Sequence, residues 1–258
     1  LWFLAPAASW WLSQPIRENR SGLRPDDAAF LRTVARRTWR FFETFVGPDD
    51  NVLPPDNFQE DPPQGIAHRT SPTNIGLSLL ANLAAYDFGY VPAGEVIVRT
   101  QRSLASMERL ARFRGHFYNW YDTRTLEPLR PLYVSTVDSG NLAGCLITLA
   151  AGLRELEDEK IFPAAQAFSG LAVTLDVIAD VAGAASADLR RTLARLRQPL
   201  APAPQTLSGA RSLLTATLEG VGELERLVDL RPDDETRRWV DTFATECRRW
   251  LEELDHLA

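Results

Sequence analysis

The feature that most constrains the fold is a series of segments in which apolar residues recur at helical spacing. Each segment is bounded by proline, glycine or a polar cap, and polar loops separate the segments. Pro25-Asp26-Asp27 begins the first clear period, which carries an aromatic stripe to about Val46. Ser71 is a natural N-cap for the next helix, with Pro72 at its first position, and the pattern stays apolar on nearly all sides until Gly89. No strand-like alternation of comparable length interrupts the series. The sequence therefore predicts an all-α chain.

Two more helices follow in the front part of the chain. The pattern predicts a third helix over residues 92–113 and a fourth over residues 141–157, with Ser139 or Asp138 as the cap of the fourth. Residues 132–137 are strand-like and are predicted to form a hairpin or an extended loop at a cleft rim. Buried and amphipathic helices that alternate with polar loops favour an all-α solenoid or toroid, with its binding loops at one end of the inner helices.

The second half of the chain changes in character from residue 162 onward. Alanine, leucine, arginine and glutamate dominate there, and prolines between positions 199 and 204 separate the runs. The amphipathic runs cover residues 164–182, 186–197, 206–230 and 233–256. We predict a helical bundle or spacer for residues 161–258.

The amino-terminal end has the pattern of a membrane boundary. Residues 1–12 are apolar but too short to cross a bilayer, which needs about 20 such residues. The pair Trp10-Trp11 suits the membrane interface, and three arginines follow by position 24, as in a segment that emerges into the cytoplasm. Residues 1–24 are therefore predicted to be the end of a transmembrane helix with a basic juxtamembrane linker. The alternative is an ordinary hydrophobic first helix.

Charge and metal-ligand content exclude several classes of function. Lysine and arginine total 28 against 34 acidic residues, a net charge of −6, whereas a nucleic-acid binder normally has a basic face. The two cysteines and three histidines lack the spacing of metal ligands, and they are Cys145, Cys247, His68, His116 and His256. We therefore predict no nucleic-acid partner, no metal and no cofactor.

The loop from Gly115 to Gly144 has the composition of a carbohydrate site. Flat aromatics suit the apolar faces of sugar rings, and amides, hydroxyls and carboxylates suit sugar hydroxyls. Within it, Trp120 or Tyr121 would lie under a sugar ring and Asp122 would bind hydroxyls. The alternative is a turn in which Asn119 and Asp122 bind local backbone donors. We favour binding, because a turn does not need two large aromatics.

Polar residues also precede the second and fourth predicted helices. Asp138 is predicted either to cap its helix or to aim its carboxylate into the cleft, and Arg69 either to bind vicinal hydroxyls or to hold a carboxylate. Glycoside chemistry needs two carboxyl groups across the scissile bond, and the acids available for it are Asp122, Asp138, Asp56 and Glu60. We take Asp122 and Asp138 as the catalytic candidates, with no acid or base assigned. The predicted substrate-binding residues are Asp56, Arg69, Thr70, Ser71, Asn74, Asn119, Trp120, Tyr121, Asp122, Tyr133, Asp138, Ser139 and Asn141.

Four long motifs stand out in the front part of the chain, and they are PPDNFQE (residues 54–60), HRTSPTNIGLSLLANLAAYDFGY (residues 68–90), GHFYNWYDTRTLEPL and LYVSTVDSGNLAG. They closely resemble the central glycoamylase-like domain of bacterial cyclic β-1,2-glucan synthases. RTWRFFETFVGPDDN, at residues 37–51, fits the same family. The resemblance covers residues 1 to about 155.

The resemblance implies a function as well as a fold. Residues 25–160 are expected to be the front half of the glycoamylase-like (α/α) domain, which cyclises linear β-1,2-glucan by transglycosylation. The expected partners are the glucan chain, the membrane through the preceding helix and other domains of the same polypeptide, at the bacterial inner membrane and facing the cytoplasm. The catalytic glutamates of the family lie in later motifs that have no counterpart here, so we expect this segment to bind substrate and to be inactive alone. A soluble endo-β-1,2-glucanase-like hydrolase and a non-catalytic helical scaffold module are the alternatives.

Overall fold

A computed structural model describes residues 4–13, 22–183, 186–229 and 234–257. Helices dominate these ranges, so the prediction of an all-α chain is confirmed. The α-helices within the described ranges are α1 (Ala5–Leu12), α2 (Pro25–Phe45), α3 (Pro72–Asp87), α4 (Ala93–Arg109), α5 (Thr136–Glu155), α6 (Ala164–Ala182), α7 (Ala187–Arg197), α8 (Leu207–Asp229) and α9 (Asp234–Leu257).

The strands in these ranges are two residues long and pair antiparallel. They are β1 (Phe58–Gln59), β2 (Gly65–Ile66), β3 (Arg69–Thr70), β4 (Arg112–Phe113), β5 (His116–Phe117) and β6 (Tyr121–Asp122). β1 pairs with β2 and β4 with β5, whereas β3 pairs with β6 across a long separation in sequence. In that last pair Arg69 lies opposite Asp122, and Thr70 lies opposite Tyr121. The β3–β6 pair therefore joins the two loops that were predicted to bind sugar.

Helices α3 and α5 pack side by side and run in the same direction. Near their starts the Asn141 amide donates to the Thr73 hydroxyl at 3.0 Å. One turn further on, a Cβ added to Gly76 would lie 2.9 Å from the Cβ of Cys145, so glycine permits the close approach. Because the two helices are parallel, the loops that precede them meet at one end of the pair.

Helix α5 begins earlier than the sequence predicted. The expectation was a helix over residues 141–157 with Ser139 or Asp138 as its cap, but α5 begins at Thr136 and its N-cap is Ser135. The Ser135 hydroxyl accepts from the backbone N–H of Asp138 at 3.1 Å. The cap prediction is therefore wrong. Of the extended loop predicted for residues 132–137, positions 132–135 do precede the helix, whereas the last two residues belong to α5.

The second half forms a bundle of helices α6 to α9 around a continuous apolar core. Phe168, Leu175 and Ile178 of α6 are buried there with Phe243 and Trp250 of α9. Helix α2 packs against α6 as well. The bundle predicted for the second half is thus present, and it also contacts the front part of the chain.

A buried ionic cluster lies where α2, α6 and α9 meet. The guanidinium of the fully buried Arg36 lies 2.7 Å from a Glu246 carboxylate oxygen and 3.1 Å from Glu43, and its Nε donates to Thr174 at 2.9 Å. Burial raises the pKa of Glu246 to about 7, against the attraction of Arg36. The cluster joins α2, in the front part of the chain, to α6 and α9 of the bundle through polar contacts centred on the buried Arg36.

The membrane prediction falls partly outside the described residues. Of residues 1–24, the structure describes α1, whose eight residues are all exposed, and the short stretch before α2. Among the described residues, α6 is long and apolar enough to cross a bilayer, with a mean hydropathy of 1.3. However, 56% of its most apolar window is buried within the structure, as in the core helix of a bundle. The predicted transmembrane end therefore stays a prediction.

Candidate functional site

Asp56 lies at the centre of the polar groups in front of α3. Its carboxylate accepts from Arg69 Nε at 3.0 Å and Nη2 at 2.8 Å, and from the Asn74 amide at 3.3 Å. Arg69 thus holds a carboxylate, which was one of its two predicted roles. The contact joins the loop before β1 to β3 and to the first turn of α3, so all three predicted residues lie together.

Trp120 extends this group toward α5. The guanidinium of Arg69 lies over the indole ring, 4.9 Å from its centroid, so one face of the ring is covered by a cation. The indole N–H donates to the side-chain oxygen of Asn119 at 2.8 Å. Trp120 is therefore held by Arg69 on one ring face and by Asn119 at its indole nitrogen.

Asn119 is a buried junction between Trp120 and α5. Its side-chain oxygen also accepts from the Tyr133 hydroxyl, and its nitrogen donates to Asp138 Oδ2, both at 2.8 Å. The surrounding groups decide this orientation of the amide, because the opposite one would place the amide oxygen against a carboxylate. The backbone N–H of Asn119 donates to the Tyr133 carbonyl at 2.9 Å. Asn119 therefore positions Asp138, Trp120 and Tyr133 together.

Asp138 can make this contact because another residue caps α5. With Ser135 as the N-cap, the Asp138 carboxylate is left to accept from Asn119. Ser139 donates its hydroxyl to the Ser135 carbonyl at 2.7 Å, and Asn141 binds α3. Of the polar groups at this helix start, Asp138 is the one that joins Trp120 through a shared partner.

Several residues predicted to contact sugar are buried, and those predictions are corrected. The side chain of Tyr121 is 0% exposed, its hydroxyl donates to the Ala111 carbonyl and accepts from the Tyr118 N–H, both at 2.7 Å, and burial raises its pKa. Consecutive residues of an extended strand alternate between faces, so Trp120 points away from the core that Tyr121 enters. Thr70 and Ser71 are also buried, and Ser71 is the predicted N-cap of α3.

Asp122 takes the role of the turn residue. Its Oδ1 accepts from the backbone N–H groups of Arg124 and Thr125, both at 2.9 Å. Burial by itself raises the pKa of Asp122, but these donors outweigh it and the net shift is downward. A carboxyl group held in its charged form is unsuited to the general acid role, which needs a raised pKa.

Asp50 is a further carboxylate near the site, and it was not among the residues predicted from the sequence. Asp50 is buried and lies 2.7 Å from Nδ1 of His68, and it also accepts from the Thr123 hydroxyl. Asn51, next to it, donates its amide to the carbonyls of Thr123 and Arg124. The signal was present as Pro48-Asp49-Asp50, but that pattern also predicts a helix stop. These contacts join the turn after α2 to the residue before β3 and to the loop after β6.

The accessible or half-buried side chains that are linked to Trp120 through Arg69 or through Asn119 form a set that we call the Trp120 cluster. Its members are Asp56, Arg69, Asn74, Trp120, Tyr133 and Asp138. The N-termini of the parallel α3 and α5 lie beside it, where helix dipoles favour carboxylates. Within the described ranges, no three His, Cys, Asp or Glu side chains are grouped so that they could hold a metal ion.

Comparison with known proteins finds one strong sequence similarity. Over 156 residues, 60% of the chain, it is 47% identical to the cyclic beta-(1,2)-glucan synthase NdvB of Rhizobium meliloti (strain 1021). The resemblance predicted from the sequence is confirmed. The chain spans 6% of the length of NdvB. No model of a protein family matches the chain.

A solved structure is similar over a larger part of the chain but more weakly. It is a crystal structure of a glucoamylase-like protein from Bacteroides fragilis NCTC 9343. The similarity covers 71% of this chain and 37% of that protein's chain, at 22% identity and a TM-score of 0.37. This similarity is too low to define a shared fold.

Proposed function

We propose that this chain is a segment of a cyclic β-1,2-glucan synthase and that it binds linear β-1,2-linked glucan at the Trp120 cluster. One observation carries the proposal. The four motifs that resemble the synthases supply all six side chains of the cluster, although they are spread over residues 54–144. The similarity to NdvB supports the same assignment.

The cluster has the chemistry that a neutral glucan requires. Each sugar hydroxyl can both donate and accept, so a site needs both kinds of group around an apolar platform. Asp56 and Asp138 supply acceptors, and Arg69 and Asn74 supply donors. Because Arg69 covers one face of Trp120, a sugar ring would stack on the other face.

We further propose that residues 25–160 form an arc of an (α/α) barrel in which glucan is cyclised by transglycosylation, at the inner membrane and on its cytoplasmic side. The remaining partners would be the membrane and other domains of the same polypeptide. In this proposal the chain binds the substrate but does not itself break glycosidic bonds. The Asp122 carboxylate already accepts hydrogen bonds from backbone N–H groups, and the Asp138 carboxylate accepts one from Asn119. Cyclisation or hydrolysis of linear glucan by the isolated chain would contradict that part of the proposal.

The two alternatives predict different results. A non-catalytic scaffold predicts that Trp120, Tyr121 and Asp138 are packed in a core; Tyr121 is, but Trp120 and Asp138 are only half-buried. An endo-β-1,2-glucanase-like hydrolase predicts that new reducing ends appear when linear glucan is incubated with the chain.

Calorimetric titration with linear β-1,2-glucan tests the proposal. Trp120→Ala removes the platform and the cover over Arg69, and we expect the dissociation constant to rise about tenfold, as for the loss of one stacking contact. Trp11→Ala is the matched control, because that side chain is 71% exposed and lies outside the cluster. Equal binding by wild type and Trp120→Ala would overturn the site, and no binding by wild type would favour the scaffold.

A further inference from the structure

A large groove lies beside the Trp120 cluster, and none of the cluster residues lines it. Helix α2, the β1–β2 hairpin and the start of α9 enclose a volume of about 960 Å³. This is at the upper end of the range for sites that hold small molecules. We call it the α2–α9 groove.

One wall of the groove is aromatic. Phe41 and Phe45 of α2 are in edge contact with their ring centroids 5.2 Å apart, and Phe45 is stacked on Phe58 of β1 at 4.9 Å. Phe58 remains 41% exposed. An exposed ring that is held in place by a stacked neighbour is a rigid platform for an apolar ligand face.

Three arginines and two glutamates line the groove, and their charges balance once the partner of Arg37 outside the lining is counted. The guanidinium of Arg37 is paired with Asp180 at 2.7 Å. Two arginines and two glutamates complete the charged lining: Arg40, Arg238, Glu60 and Glu235. A phosphate or carboxylate ligand would meet the two glutamates, whereas a neutral ligand rich in hydroxyls can use donors and acceptors together. The lining therefore favours a neutral carbohydrate over an anion.

The hairpin that lines the groove also carries part of the Trp120 cluster. Asp56 stands two residues before Phe58, a distance of at most ~7 Å along the chain. The backbone N–H of Asp56 donates to the Ala67 carbonyl at 3.2 Å, and the N–H of Ala67 donates to Asn57 at 2.9 Å. The base of the hairpin thus lies at the cluster and its next residues at the groove, so one extended ligand can contact both.

We propose that the α2–α9 groove is a second carbohydrate site, which takes the part of a β-1,2-glucan chain that extends beyond the Trp120 cluster. This inference rests on the proposed function, because it needs the cluster to hold the same chain. Because the cluster would contact a few sugar units and the groove would contact units further along the same chain, the protein should bind long glucan more tightly than short glucan.

The test compares the affinities of the full 258-residue chain for a β-1,2-linked glucose disaccharide and for a long linear β-1,2-glucan, measured by calorimetry. Phe58→Ala should weaken the binding of the long glucan about fivefold and leave that of the disaccharide unchanged. Phe88→Ala is the matched control, since Phe88 is 43% exposed, is stacked on Tyr90 and follows the opposite end of α3. Circular dichroism verifies the fold, and Glu60→Ala serves as a second groove variant should Phe58→Ala not fold.

The outcomes separate the two proposals. Loss of affinity for the long glucan alone, in the groove variant and not in Phe88→Ala, supports the groove. If the wild type binds both glucans and the groove variant binds them equally well, the groove proposal is overturned and the cluster is retained. If the wild type binds neither glucan, the proposed function fails and the groove proposal falls with it.

Discussion

The substitution Asn119→Ala is the most direct test of how the Trp120 cluster is held together. It removes three side-chain hydrogen bonds of 2.8 Å, to Trp120, Tyr133 and Asp138. Neutral bonds contribute about 1 kcal/mol each and a bond to a carboxylate about 1.5–3 kcal/mol, so the upper limit is about 5 kcal/mol. Tyr133 is 46% exposed and Asp138 is half-buried, so water replaces part of the loss. We expect the free energy of unfolding to fall by about 2 kcal/mol.

Urea denaturation followed by circular dichroism measures this change, and calorimetry measures the accompanying loss of glucan affinity, which we expect to be about tenfold. Gln101→Ala, at an exposed position of α4, is the control and should stay within about 0.5 kcal/mol of the wild type. A double-mutant cycle between Asn119→Ala and Asp138→Ala should show a coupling of about 1 kcal/mol. The reasoning would be refuted if the free energy of unfolding of Asn119→Ala lay within about 0.5 kcal/mol of the wild-type value, or if the coupling free energy were near zero.

Three further predictions concern the scaffold. Burial raises the pKa of Glu246 to about 7 in the folded chain, against an ordinary 4.5, so between these pH values the folded state keeps a proton that the unfolded state releases. The free energy of unfolding should therefore fall as pH rises from about 4.5 to about 7. Glu246→Gln should flatten that pH dependence in denaturation curves. Gly89→Ala should reduce thermal stability severely, because its Cβ would lie 1.9 Å from the Gln166 carbonyl oxygen and φ is +76°; an unchanged melting temperature would contradict this. Ser135→Ala should cost about 1 kcal/mol in urea denaturation and Ser139→Ala less, and the reverse order would restore the cap first predicted from the sequence.

The sequence predicted helix starts and ends well where a single residue could act as the cap or the stop. The Ser71-Pro72 start of α3 is confirmed, and α6 has the predicted bounds, Ala164–Ala182. The start of α5 was missed because Ser135, Asp138 and Ser139 can all cap a helix. In the structure Ser135 caps α5 and the Asp138 carboxylate accepts from Asn119 instead, a contact that no helix-start signal predicts.

The side-chain directions at the candidate site were less predictable. Trp120 and Tyr121 are adjacent aromatic residues, and their residue types alone do not tell them apart. In the structure Trp120 belongs to the cluster, whereas Tyr121 is buried in the core. The alternation of an extended strand explains their opposite directions, but which of the two faces inward depends on the pairing of β6 with β3.

By itself, the sequence determined the helical class, the polar loops and the resemblance to cyclic β-1,2-glucan synthases, because helix periods, caps and motifs act over a few residues. Only the tertiary structure decided that Asp56 meets Arg69, that Asp138 meets Asn119, and that Arg36 is buried against Glu246. These contacts arise when α3 and α5 pack in parallel and α2 packs on the bundle. Their partners are chosen by shape and by the need to pair buried polar groups, which no local pattern records.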